Sequence, residues 1–448
     1  MPRSSSPLRS LVWFRGRDLR LEDQPALAAA ASGPELIPLV VRDPAETEAP
    51  FRDAFRDRAL AALDQDLRER GSRLVSVAGD PLTLLPGLVQ AWGVTRVEAL
   101  RRVEPSWRAL DDRLQVALAG VGCRLTLHEG DTLAPPGSVR TGSGGPFSVF
   151  TPFSRAFSRQ ISVPWPLPVP ARLPPVPAEV PSSSGFPEPG EPVRQRLEGF
   201  LAERLAGYGE GRNRMDQDGI SRLSGDLRAG TLSVRTLWHA VSACLGAGFD
   251  ADVRAYLNEL LWREFAHHVL WERPELVREP FRGNWADFPW RTDPEAFAAW
   301  QEGRTGQPLV DAAARELLAT GFVHNRARMV AASYLCKQLM LDWRLGEAHY
   351  RRFLVDGCEA ANSLGWQWSA GCGVDAQPWF RIFNPETQGR KFDPAGAYVR
   401  RWVPELASVP DRFLHAPQLW DRPLDYPAPI VDHGLARQRF LAAAKASL

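Results

Sequence analysis

ISVPWPLPVPARLPPVPAEVPSSSGFPEPGEP (Ile161–Pro192) divides this chain. Proline recurs throughout it, with some Ser and Gly. Each proline fixes φ and removes a backbone donor, so the stretch suits neither a helix nor a central strand. It reads as an extended linker. On its N-terminal side, Leu11–Phe14, Leu36–Val41, Leu74–Val77, Arg96–Ala99 and Cys123–Leu127 are apolar runs of strand length. Between them, Pro25–Ala31 and residues 54–70, 81–92 and 107–119 carry helical patterns. Strands alternating with helices predict a doubly wound parallel sheet. Arg15–Asp23 (RGRDLRLED) reads as a charged turn after the first strand, and no Gly-x-Gly-x-x-Gly fingerprint follows that strand. On the C-terminal side, apolar residues recur at three- and four-residue spacing over Arg194–Leu205, Val234–Leu245, 251–270, 310–319 and 326–341. The expectation is an α/β domain over 9–130, an interdomain linker over 131–192 and an all-α domain over 193–448.

Composition narrows the function. A chain of 448 residues has room for two or three domains with ample core. Its net charge of +1 means that any DNA binding must come from a local basic patch. The lysines are Lys337, Lys391 and Lys445; the other basic residues are Arg, which suits bidentate phosphate contacts. The five cysteines (Cys123, Cys244, Cys336, Cys358 and Cys372) include no Cys-x-x-Cys pair. That argues against a zinc or iron–sulfur site and fits a reducing cytoplasm. There is neither a signal-peptide core nor a run of about 18 apolar residues. A soluble, cytoplasmic, monomeric protein is expected. Sixteen tryptophans is a high count, and tryptophan is redox-capable as well as large.

Four segments carry candidate chemistry. Asp356–Pro385 (DGCEAANSLGWQWSAGCGVDAQPWFRIFNP) holds an acid, an Asn, two tryptophans one residue apart and an Arg. Its Gly, Ser and Asn content predicts a turn-rich segment that presents aromatics at a pocket wall. Tyr208–Ser224 ends in GISRLS, where backbone N–H groups, a hydroxyl and a guanidinium can converge on a pyrophosphate. Tyr256, Glu259, Trp262 and Arg263 fall at i, i+3, i+6 and i+7, on one helix face. Asn325, Arg328 and Met329 share a face in the same way.

Taken together and in this order, these segments resemble the photolyase/cryptochrome flavoproteins, over most of residues 9–406. The carrying motifs are WFRGRDLRLEDQPAL near the start, VFTPFSRAF (149–157), YLNELLWREF (256–265), and GWQW followed by DAQPWFRIFNP. Within the family the chain looks most like the class I cyclobutane pyrimidine dimer photolyases.

The resemblance implies FAD, and places Tyr208, Ile220, Ser221, Arg222, Leu223, Ser224, Arg263, Arg328, Asp356, Gly357, Cys358 and Asn362 around it. It implies UV-damaged DNA as partner. Arg212, Arg326 and Arg381 would meet phosphates, and Glu259, Trp262, Asn325, Met329 and Trp368 the flipped dimer. It assigns Trp366, Trp343 and Trp290 to a tryptophan chain that passes electrons from the surface to the flavin. Glu259 and Asn362 would be catalytic, Asn362 beside flavin N5. His324-Asn325 stands where the (6-4) enzymes resemble His-His, which favours the cyclobutane dimer. The implied enzyme is a deoxyribodipyrimidine photo-lyase, a carbon–carbon lyase without a metal; the alternative is a cryptochrome-type photosensor. A second antenna chromophore, a folate or a deazaflavin, is a family feature. Here Ser106 and Trp107 replace the Asn and Glu of folate-binding relatives. Other departures are Ile220 for Thr, Gly225 for Pro, Tyr256 for Trp, Gln338 for Asp and Cys358 for Asp. Gln338 would remove a carboxylate from beside Arg328.

Overall fold

The computed structural model describes residues 9–44, 49–182 and 186–447. The apolar runs of the N-terminal part become β1 (Arg9–Phe14), β2 (Glu35–Arg42), β3 (Val75–Ala78), β4 (Arg96–Leu100) and β5 (Arg124–His128). They pair in parallel in the order β3-β2-β1-β4-β5, with the switch point between β1 and β4. Helices α1 (Pro25–Ala30), α2 (Pro50–Arg68), α3 (Pro81–Ala91) and α4 (Pro105–Gly120) return the chain. Each begins on a proline, whose missing N–H is free of consequence at that position. The central strand is buried on both faces. Val12 and Phe14 enter one core while Leu11 and Trp13 enter the other, as the strand alternation requires.

The stretch 131–192 is not wholly a linker. It contains α5 (Phe150–Gln160), whose Phe153 and Phe157 are fully buried. The proline-dense part forms no helix or strand where it is described and turns once, at 177–180; Ser183–Gly185 lies outside the described residues. Helices follow: α6 (Val193–Glu203), α7 (Tyr208–Gly211), α8 (Ser224–Ala229), α9 (Val234–Ser242), α10 (Asp250–Glu272), α11 (Pro294–Glu302), α12 (Pro308–Thr320) and α13 (Asn325–Ser333). A π turn (Tyr334–Gln338) interrupts the helix expected over 326–341, and Met340 then adopts φ 56°. The chain continues through α14 (Trp343–Phe353), α15 (Glu359–Ala370), α16 (Pro385–Phe392), α17 (Ala397–Trp402), α18 (Asp411–Leu414) and α19 (His433–Ser447). Among the described residues no helix is long and apolar enough to cross a membrane.

One expectation fails for a physical reason. The Gly-rich segment after Asp356 is helical over Glu359–Ala370. Gly365 sits on the outside of α15 with open space beyond its Cα, so it costs the helix only its propensity, about 1 kcal/mol. Burial of Ala360, Ser363, Trp366 and Gln367 outweighs that. The turn begins at Gly371, whose φ of 98° closes the helix. Arg15–Asp23 is the charged turn expected, and it is folded inward: Arg15, Arg17, Asp18, Arg20 and Asp23 are all buried.

Arg17 explains why. Its guanidinium reaches Glu104 (2.7 Å), Asp131 (2.8 Å), Cys358 Sγ (3.3 Å) and His267 Nε2 (3.1 Å). Arg102 adds a second pair to Glu104 (3.0 Å), and Arg263 a second pair to Asp131 (2.7 Å). One turn after β1 is therefore locked to both α10 and the start of α15. The close approach requires Gly230, where a Cβ would collide with the Arg17 carbonyl. Removing one partner of a buried, hydrogen-bonded charge set leaves the others uncompensated. Arg17→Met is expected to destabilise the protein by about 3–5 kcal/mol in denaturant unfolding. Arg194→Met, which breaks an i,i+4 pair with Glu198 on a side chain 87% exposed, should cost no more than about 0.5 kcal/mol. Equal effects would remove Arg17 from its central place.

Candidate active site

The site lies where the α7–α8 loop, α10, α13 and α15 meet. The loop is the first wall. Tyr208 is buried, with its ring 4.9 Å from that of Tyr256 and 6.1 Å from that of Phe200. The Tyr256 hydroxyl lies 2.9 Å from Ser221 Oγ, which joins α10 to the loop. Arg222 is left-handed (φ 55°) and Leu223 follows at φ −90°, ψ 4°. Alternating hands of this kind point successive N–H groups into one concavity, a nest for anions. Ser224 lies on its rim, and the Ile220 carbonyl is engaged by Arg204 (3.3 Å). Arg222 itself pairs with Asp218 (2.9 Å) and lies 5.3 Å over Phe322.

The second wall comes from α13 and α15. Arg328 Nη2 donates to Asp356 Oδ2 (2.8 Å) and its Nε to the Val323 carbonyl (2.7 Å). Burial opposes the Arg328 charge, but Asp356 outweighs it and holds the guanidinium above its ordinary pKa. Asp356 Oδ1 is buried with no partner among the described residues. An orphaned carboxylate oxygen is worth about 1–3 kcal/mol to any donor that reaches it. Asn362 Nδ2 donates to both the carbonyl (3.0 Å) and the Oε1 (2.9 Å) of Glu347, which fixes the plane of the amide. Glu347, a buried acid on α14, escaped sequence reading; its position on an inward face was the only signal.

Three residues expected around a cofactor have other partners. Arg263 donates to Asp131, and Cys358 faces Arg17 and His267. The Gly357 carbonyl accepts from Arg228 (2.8 Å). All three belong to the buried charge cluster beneath the site. Burial would raise the Cys358 thiol, but Arg17 and His267 outweigh it and hold its pKa well below normal. Gln338 is also placed elsewhere. It bonds the Phe383 carbonyl (2.9 Å), so it takes no carboxylate from Arg328.

The third wall is α10 itself. Glu259 pairs with Arg212 at 2.7 Å. Burial raises the Glu259 pKa, and Arg212 only partly offsets this. Trp262 stacks face to face on Phe150, with centroids 3.7 Å apart, so α5 backs one side of that indole. Phe150 was not foreseen. Arg326 donates to Asn213 (2.5 Å) and lies 4.4 Å over Phe392, close enough to Arg212 for the two charges to repel. Asn325 is exposed, with Nδ2 4.0 Å from Met329 Sδ. Trp368 is half-buried on α15, and Arg381 is exposed on the following loop.

Trp366, Trp343 and Trp290 share one core, with the first two buried and Trp290 half-buried at its edge. A Cβ on Gly346 would collide with the Trp366 ring, so α14, which Trp343 begins, packs directly against it. The residue after Trp290, Arg291, bridges to Leu341. Trp366 also contacts Tyr350 (5.1 Å) and Trp300 (5.8 Å), two rings that sequence reading passed over.

Residues 10–175 match the family model described as DNA photolyase, and residues 256–446 that described as the FAD binding domain of DNA photolyase. A deoxyribodipyrimidine photo-lyase of Agrobacterium fabrum is 39% identical over 468 residues, 97% of each chain. A solved class III photolyase from Agrobacterium tumefaciens superimposes with a TM-score of 0.93 at 38% identity, over 100% of this chain and 99% of that one. A cryptochrome from Synechocystis sp. PCC6803 gives 0.91 at 29% identity, over 99% of both chains.

The Arg212–Glu259 pair yields a signed expectation. Arg212 favours the charged carboxylate, so Arg212→Met should move the Glu259 titration further up. The protonated-carboxyl infrared band, assigned by its loss in Glu259→Gln, reads it. An unmoved or lowered midpoint would contradict the pairing.

Proposed function

This chain belongs to the DNA photolyase family, and we propose that it repairs cyclobutane pyrimidine dimers in DNA with light. The observation that carries the reading is the Tyr256–Ser221 hydrogen bond. It ties an anion nest to the helix that bears Glu259 and Trp262, so cofactor and substrate walls are one rigid unit. The photosensor alternative is not favoured. Both solved structures share the fold, but identity is higher to the photolyase (38%) than to the cryptochrome (29%). Fold alone does not decide function.

The donor set fits FAD. The nest at Arg222–Ser224 suits a diphosphate, and the orphaned Asp356 Oδ1 suits a ring N–H. Tyr208, Ile220 and Ser221 close the loop side, and Arg328 holds Asp356 in place. When bound and reduced, FAD supplies the photoexcited electron. The remaining work belongs to the chain. Arg212, Arg326 and Arg381 meet phosphates and release counterions. A dimer stacks poorly and leaves the duplex at low cost. Trp262 and Trp368 receive it, at about 1–3 kcal/mol per stacked base. Asn325 and Met329 complete its pocket. Glu259, whose pKa burial raises, hydrogen-bonds a base and, when protonated, donates to its carbonyl as negative charge develops there. The pocket would hold the dimer while its two ring C–C bonds break, driven by the electron that bound FAD would lend and recover. Asn362, planar and held by Glu347, stays beside the reacting centre. Trp366, Trp343 and Trp290 carry electrons inward from the surface.

His324 supports the cyclobutane dimer as substrate. Its Nδ1 accepts from the Arg326 N–H (3.2 Å), and burial pushes its pKa down to about 4. It is an uncharged helix cap, not an acid for (6-4) chemistry. Residues 9–130 and 193–448 act as two domains of a cytoplasmic monomer in this reading. An antenna, whether folate or deazaflavin, gains no support at the switch point of the sheet. Arg15 fills that crevice, 4.7 Å from the Trp13 ring and 4.5 Å from Trp107, bonded to Asp111 (2.6 Å).

Blue light on the reduced protein should remove a thymine dimer from an oligonucleotide and leave a (6-4) product untouched. Failure on both, with flavin bound, would overturn the enzyme reading. Glu259→Ala should slow repair about fivefold, the worth of one hydrogen bond, with flavin retained. Trp366→Phe should abolish light-driven reduction of the flavin while chemically reduced protein still repairs. Joint loss of both activities would contradict that role.

A further inference from the structure

α13 ends at Ser333 and the chain widens into the π turn Tyr334–Gln338. Ser333, Lys337 and Gln338 are all fully buried. Their polar atoms converge on one strip of backbone. Lys337 Nζ donates to the Arg381 carbonyl (3.0 Å), Gln338 Nε2 donates to the Phe383 carbonyl (2.9 Å), and Ser333 Oγ accepts from the Phe383 N–H (3.5 Å). The π geometry makes this possible. In an α-helix the side chain five positions beyond Ser333 points about 140° away from it. A π turn closes i to i+5 and brings both to one face. The turn is itself braced, since Arg439 donates to the Gln338 carbonyl (2.6 Å).

The strip held from behind is exposed in front. Phe380 is 57% exposed and the Arg381 side chain is in solvent. A buried lysine needs a reason. Burial pushes the Lys337 pKa down to about 7, and its electrostatic neighbours are the Cys336 and Cys372 thiols and the Arg381 guanidinium. None of these is a carboxylate. A leucine would fill this core at less cost, so the amine is there for its hydrogen bond.

We propose that Lys337 and Gln338 are positioning residues: the π turn clamps the Arg381–Phe383 backbone and so sets where Arg381 meets DNA. This rests on the DNA-repair reading and adds to it residues that touch neither flavin nor dimer.

The test uses the full flavin-loaded chain with Lys337→Met and Gln338→Met, each keeping volume and losing the donor. Amide exchange across 374–384 reads the clamp, and Kd for a duplex containing a thymine dimer reads its consequence. Exchange should rise at 381–383, and Kd should weaken about fivefold for each lost hydrogen bond. Flavin content and turnover at saturating DNA should hold. Lys337→Arg, which keeps a donor, should recover most of the affinity. In an Arg381→Ala background Lys337→Met should change Kd less than about twofold, because the two act through one contact. Unchanged exchange in both variants overturns the clamp, and so does a Kd effect that adds fully to that of Arg381→Ala. If the wild type fails to prefer dimer-containing DNA, the repair reading falls. The exchange arm then decides the clamp alone.

Discussion

Burying one guanidinium between two halves of a protein constrains everything around it. Arg17 leaves β1 and enters a space with room for little else, where Glu104, Asp131, Cys358 and His267 meet it. Desolvating so many charges is tolerable only if each finds its partner in good geometry. The backbone therefore has no freedom at this point. Gly230 must lack a side chain, Asp131 must take Arg263, and α10 must present His267 and Arg263 on the correct face. The sheet's first loop thus sets the position of the longest helix. It does so by charge pairing, on top of the apolar contacts that any two surfaces make.

That helix is shared between two tasks. One face of α10 carries Arg263, Glu264, His267 and His268. Glu264, fully buried, accepts the N–H groups of Leu133 and Ala134 (2.9 Å each). Nearer its start, the same helix carries Tyr256, Glu259 and Trp262 toward the site. A site of this kind needs its groups held within a fraction of an ångström. Anchoring one end of a helix in a dense polar network is a direct way to hold the other.

The sheet was legible because strand-length apolar runs alternated with proline-started helices. The Glu259–Trp262 face was legible because helical spacing alone aligns those residues. What stayed hidden depends on contacts distant in sequence. RGRDLRLED reads as a charged turn, and nothing local shows that Glu104, Asp131 and Cys358 arrive from elsewhere in the chain to bury it. Gly365 argued against a helix because composition does not show which side of α15 faces solvent. The π turn left no local mark either. NRARMVAASYLCKQL is continuous helical sequence, and only the backbone of 381–383 shows why Lys337 and Gln338 share a face. Arg263, Gly357 and Cys358 were expected at a cofactor because the family resemblance places them there. Their protein partners, Asp131, Arg228, Arg17 and His267, lie far away in the chain, so the sequence did not show them.

The departures from the family pattern follow one logic. With Ile220 in place of Thr the loop loses a hydroxyl, and with Tyr256 in place of Trp the facing helix gains one. That gained hydroxyl is the one bonded to Ser221. Cys358 stands where an Asp is usual; burial would raise its thiol, but Arg17 and His267 outweigh that and hold its pKa well below normal. Gln338 stands for another Asp, beside a lysine already short of solvation. A neutral amide can donate to the Phe383 carbonyl, which a carboxylate cannot do. Read singly, each change looks like damage to a site. With their partners in view, one exchange conserves a hydroxyl, another gives Arg17 and His267 a thiol partner, and the third gives a loop that faces solvent a third point of attachment, beside those from Ser333 and Lys337.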